Sequence, residues 1–151
     1  MSEFAQILQR AQQRANESFL SYSGLLTPAE AFYIIQHIPQ AHLVDVRSHA
    51  ERDLVGRIPD CIEIEWQSYP HWVNNPHFLP ALQRQVDPET LVIFICRTGS
   101  RSHQAALAAM AAGFTEVYNV QHGFEGEKNK FSARRGELNG WKAAGLPWIN
   151  A

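Results

Sequence analysis

The chain has 151 residues, 45% hydrophobic and 19% charged, a composition suited to one soluble globular domain able to build its own core. Thirteen basic residues against 15 acidic ones leave a net charge of −2, so no global field favours nucleic acid or an anionic membrane. No run approaches the length of a membrane span, and two cysteines, Cys61 and Cys96, cannot frame a disulfide scaffold.

Residues 2–20 carry Phe4, Ile7, Leu8, Ala11, Ala15 and Phe19 near helical spacing. This predicts an amphipathic helix packed on the domain's own surface, with Ser21 to Leu26 as a linker. The expected organisation is a helical extension over residues 1–24 and a domain over 25–151. Thr27-Pro28-Ala29-Glu30 combines a capping hydroxyl, a proline at the first helical position and a glutamate three residues after the cap. The helix is predicted to run to about His37, before Pro39. His42–Val46 reads as a short strand, Ser48 caps a helix to about Leu54, and Cys61–Ile64 alternates as a second strand. Asn75-Pro76 opens a helix with Phe78, Leu79 and Leu82 on one face.

Leu91–Ile95 is five apolar residues in succession, the pattern of a strand buried on both faces of a parallel sheet. A helix is predicted over Ser102–Ala112, its alanines allowing close approach to the sheet, closed by Gly113. Glu116–Val120 is a last strand, and Leu138–Ala144 is predicted as a short terminal helix. Strands alternating with helices imply an α/β domain with a mainly parallel sheet, whose ligands bind at the carboxyl ends of the strands.

Cys96 sits at such an end. The loop Cys96-Arg97-Thr98-Gly99-Ser100-Arg101 delivers a thiol to the start of a helix, where partial positive charge and unpaired N–H groups favour a thiolate. Gly99 permits a curled backbone whose N–H groups converge as an anion nest, Thr98 and Ser100 add hydroxyls, and Arg97 and Arg101 offer fork-shaped donors. Such a thiolate can attack a bound oxyanion's sulfur or phosphorus, or hold a transferred sulfur as a persulfide. The bland alternative is an inert buried cysteine. Loop-cysteine phosphatases use Cys-x5-Arg, but here Arg101 makes Cys-x4-Arg and the next position is Ser102. The smaller ring suits a sulfane sulfur better than a phosphoryl group.

Other residues invite weaker readings. Asp45 and Arg47 invite an acid–base reading but read better as support, a strand-end carboxylate that pairs with a nearby arginine or caps local backbone and so fixes loops under the site. Cys61 is either a resolving thiol or, more simply, a small buried hydrophobe. Trp66, Tyr69 and Trp72 pack in the core or wall a pocket, and His103 faces solvent or assists the thiol. Lys128, Lys130, Arg134 and Arg135 form a basic loop that steers anions only if it folds over the mouth of the site. The histidines show no metal-ligand spacing, no CxxC is present, and the start Met1–Gln6 lacks a secretory pattern, so the reducing cytoplasm is the expected location.

Leu43-Val44-Asp45-Val46-Arg47, Gly56-Arg57-Ile58-Pro59-Asp60, the Cys96–Arg101 loop and Asn139-Gly140-Trp141 through Pro147 together resemble a single-domain rhodanese of the thiosulfate sulfurtransferase type, from about Leu43 to Trp148. Where that family often has Gly-His-Ile-Pro-Gly-Ala, this chain reads Gly56-Arg57-Ile58-Pro59-Asp60-Cys61, and its connection from Phe124 to Leu138 is longer. The resemblance implies a central five-stranded parallel sheet flanked by helices. It also implies that Cys96 takes the outer sulfur of thiosulfate as a persulfide, cradled by Arg97, Thr98, Gly99, Ser100, Arg101 and Ser102. The sulfur then passes to cyanide or to a thiol or protein acceptor, with no cofactor or metal, nucleic acid or membrane involved. The alternatives are a loop-cysteine phosphatase or arsenate reductase, and a non-catalytic interaction module.

Overall fold

The computed structural model describes residues 2–150. In chain order it contains α1 (Glu3–Glu17), β1 (Gly24–Leu26), α2 (Pro28–His37), β2 (His42–Asp45), α3 (His49–Val55), β3 (Ile62–Glu63), β4 (Gln67–Ser68) and β5 (Val73–Asn74). There follow α4 (Phe78–Gln85), β6 (Leu91–Ile95), α5 (Ser100–Ala111) and β7 (Glu116–Val120). Five strands form a parallel sheet in the order β1-β7-β6-β2-β3, and β4 and β5 make a separate antiparallel hairpin.

The all-apolar β6 alternates between two cores. Leu91, Ile93 and Ile95 face one side with Ile7 and Ala11 of α1 and Ala31 and Ile34 of α2. Val92, Phe94 and then Cys96 face the other, against Phe78 and Leu82 of α4 and Ala105, Ala106 and Ala109 of α5. A strand read on both faces has no polar side, which is why its alternation is invisible in composition. Both capping boxes form: Thr27 with Glu30 and Ser48 with Glu51 each satisfy two backbone N–H groups at a helix start.

Two predicted elements change. The stretch expected to be a linker contains β1, a strand that pairs with β7 from Gly24↔Tyr118 to Leu26↔Val120. The helix expected over Leu138–Ala144 is a set of turns; Gly140 has φ 97° and the Ala144 N–H to Gly140 carbonyl bond closes one turn only. The predicted helix on Asn75-Pro76 starts later, at Phe78, and the one after the cysteine starts earlier, at Ser100. Among the described residues no helix is long and apolar enough to cross a membrane.

Candidate active site

Asp45, which ends β2, lies beside Ile95 of β6, so the loops leaving these two strands share one edge of the sheet. Cys96 follows directly and is 1% exposed. The chain then turns through Gly99, whose φ of 110° leads into α5, a helix start with no side-chain cap. The Gly99 N–H points at the Cys96 sulfur at 3.0 Å, and the Ser102 hydroxyl lies 3.2 Å from it. One backbone donor and one hydroxyl, at an uncapped helix start, therefore already face the sulfur.

The loop is held from below by a segment that sequence reading left unassigned. Phe124 N–H donates to the Cys96 carbonyl (2.8 Å) and Glu125 N–H to that of Arg97 (2.9 Å). Gly123 has φ 62°, and a Cβ there would meet the Cys96 carbonyl and lie 2.7 Å from the Arg97 backbone. Only a glycine permits that approach, and the signal was present in the Gly123-Phe124 pair without anything to name its partner.

Asp45 and Arg47 form a fully buried ion pair, Nη2 to Oδ2 2.7 Å and Nε to Oδ1 3.0 Å. Arg47 also donates to the Gly56 carbonyl and stacks 4.0 Å from the Phe124 ring centroid. The pair lies beneath the loop and reaches the Cys96 carbonyl through Phe124.

Above the loop opens a cleft of about 530 Å³, lined by Arg97, Thr98, Ser100 and Arg101 together with Glu51, Glu125, Arg135, Val55, Gln67, Tyr69 and Trp72. Gly99 and Ser102 contact the sulfur instead of the cleft wall. The two loop arginines, expected to be free anion donors, are engaged. Arg101 grips Glu51 bidentately (2.6 and 2.8 Å) and packs 4.9 Å from the Trp72 ring; Arg97 pairs with Glu125 (3.2 Å). Burial pushes the Glu51 carboxyl up, but Arg101 and the Ser48 donors outweigh it and hold the group below its usual range.

Tyr69 and Trp72 wall the cleft, whereas Trp66 packs edge-on against Phe78 in the core. Of the four basic-loop side chains, Arg135 lines the cleft and Lys128, Lys130 and Arg134 are exposed. His103 is half-buried, and its Nδ1 meets the Tyr22 hydroxyl at 2.8 Å. Cys61 donates to the Ile58 carbonyl, and burial, aided by Asp45 and Glu63, pushes its thiol up to about 12. It packs against the opposite core from Cys96.

Rv0390 from M. tuberculosis, a solved structure, superposes with a TM-score of 0.79 at 39% identity, over 87% of this chain and all of that one. The uncharacterized protein RP600 of Rickettsia prowazekii is 34% identical over 114 residues, 72% of this chain and 82% of its own. A sulfurtransferase of Allochromatium vinosum is 29% identical over 107 residues, 71% and 77% of the two chains. The sequence also matches the rhodanese-like domain family over residues 28–130, which takes in every sheet strand but β1 and the whole Cys96 loop. The chain therefore belongs to the rhodanese-like domain family, one whose members include sulfurtransferases.

Proposed function

We propose that the protein moves a sulfane sulfur from thiosulfate, or a related anionic donor, to a thiol or protein acceptor through a persulfide on Cys96. The thiolate attacks the outer sulfur, the S–S bond of the donor breaks, and sulfite leaves with the electron pair. Cys96 then carries S–S⁻, and an acceptor thiolate or cyanide takes the outer sulfur and regenerates the thiolate. Sulfite is a good leaving group, so no general acid is required.

The observation that carries this reading is the Cys96 sulfur facing the Gly99 N–H at 3.0 Å, at an uncapped helix start, in a loop of Cys-x4-Arg length. A preorganised donor of that kind stabilises an anionic sulfur without reorganising. The cleft of about 530 Å³ beside the loop, lined by Arg97, Thr98, Ser100 and Arg101 but not by the buried Cys96, has room for an acceptor larger than cyanide.

Incubation with thiosulfate is expected to add the mass of one sulfur atom to Cys96, and Cys96→Ser to abolish both that adduct and thiocyanate formation from cyanide. An unmodified wild-type protein would overturn thiosulfate as donor. Hydrolysis of an aryl phosphate that disappears in Cys96→Ser would replace the proposal with phosphatase chemistry.

A further inference from the structure

Behind the loop, the Cys96 sulfur ends a line of hydrogen-bonding side chains that passes through Tyr22, outside the 28–130 family match. Ser102 Oγ lies 3.2 Å from the sulfur and 2.6 Å from Asn119 Oδ1 on β7. Asn119 Nδ2 donates to the Gly99 carbonyl (3.2 Å) and to the Tyr22 hydroxyl (3.3 Å). Tyr22 in turn meets His103 Nδ1 at 2.8 Å. Ser102, Asn119 and Tyr22 are 0%, 3% and 3% exposed, so water does not substitute for a lost partner.

The directions follow from donor counting. Gly99 offers Asn119 a carbonyl, so the amide must present nitrogen there and oxygen to Ser102; the reverse would set two acceptor oxygens together. Tyr22 accepts from Nδ2 and keeps its own hydrogen, and its hydroxyl pairs with His103 Nδ1 in a direction set by the imidazole tautomer. Burial pushes the Tyr22 phenol up, keeping that hydrogen in place. The Ser102 hydroxyl has one hydrogen and three neighbouring acceptors, Asn119 Oδ1, the Gly99 carbonyl and the sulfur. The shortest contact, to Asn119 Oδ1, takes it. An anionic sulfur draws the same hydrogen by a charge-assisted contact, so the hydrogen is shared between the sulfur and Asn119 Oδ1, which still orients the hydroxyl.

We propose that Tyr22, acting through Asn119, is a positioning residue for sulfur transfer, holding the Ser102 hydroxyl where it serves the Cys96 sulfur. The inference rests on the persulfide reading above. It makes the segment before residue 28 part of the working site. That segment is secured because Ser23 N–H donates to the Val117 carbonyl (2.9 Å) and Val117 N–H to Ser23 Oγ (3.0 Å).

The test is a double-mutant cycle in the full chain with Tyr22→Phe, Ser102→Ala and both together. Each removes an oxygen and retains the packing. Two rates are measured by mass spectrometry: sulfur loading of Cys96 from thiosulfate, and its alkylation by iodoacetamide. Tyr22→Phe is expected to slow saturated loading roughly 3- to 10-fold, the size of one net neutral hydrogen bond, with the half-saturating thiosulfate concentration unchanged. In the Ser102→Ala background the same change is expected to cost less than about 2-fold, because coupled residues do not act additively. No effect of Tyr22→Phe, or an equal factor in both backgrounds, would overturn the positioning role. If wild-type protein takes no sulfur, the persulfide reading fails instead. The alkylation cycle then decides alone: coupling retains the positioning role and additivity ends it.

Discussion

Glu51 does two jobs with one carboxylate. It closes the capping box of α3 with Ser48 and clamps Arg101 at the rim of the cleft. Because these partners hold its folded carboxyl below the unfolded value, the stabilisation is complete above about pH 4.3 and is lost as pH falls through the lowered folded value. Urea midpoints measured from pH 7 down to pH 3 should therefore fall in the acid range, and Glu51→Gln should flatten part of that fall. Glu30, held low by Arg14, Thr27 and Arg10 against its burial, contributes in the same window and the same direction. Asp45 is a different case, because its partner Arg47 is wholly buried and its Nη1 already lacks a hydrogen-bond partner among the described residues. Asp45→Ala strands that cation, and urea unfolding should show a loss of about 3–5 kcal/mol.

At the scale of elements, local chemistry was legible and pairing was not. The caps at Thr27 and Ser48 and the apolar run Leu91–Ile95 each declare themselves within a few residues. The strand β1 does not: three residues after Ser21-Tyr22-Ser23 carry no period, and only β7, far along the chain, makes them a strand. The terminal helix failed for the opposite reason. The local reading of a helix there is overridden, because Trp141 is used as a buried plug whose Nε1 donates to the Pro147 carbonyl and the backbone follows that anchor. Gly24 is where β1 and α1 meet. A Cβ there would lie 2.7 Å from the Tyr118 ring and 2.8 Å from the Ala11 backbone. Since helix backbone cannot give way as a flexible side chain can, Gly24→Ala should destabilise by about 1–3 kcal/mol in thermal or urea unfolding.

For the molecule as a whole, the loop sequence named the residues around Cys96 but not how they are shared. Arg97 and Arg101 look free in the motif because the glutamates that hold them, Glu125 and Glu51, come from other elements. Asn119 and Tyr22 carry no motif at all. The same logic bears on residues 1–24. Ile7, Ala11 and Ala15 of α1 are buried, and β1 covers the edge of β7. Deleting residues 1–24 leaves only Leu25 and Leu26 of that strand, uncovers Tyr118 and opens β7 to pairing with other chains. Restoring water to that apolar face costs at least ~3 kcal/mol, a large fraction of the roughly 5–15 kcal/mol that holds a domain together. The truncated protein should melt well below the full chain, scatter light at concentrations where the full chain stays clear, and lose sulfur loading with Tyr22. An unchanged melting temperature and undiminished loading would instead make residues 1–24 a separable extension, and would place everything Cys96 needs within residues 25–151.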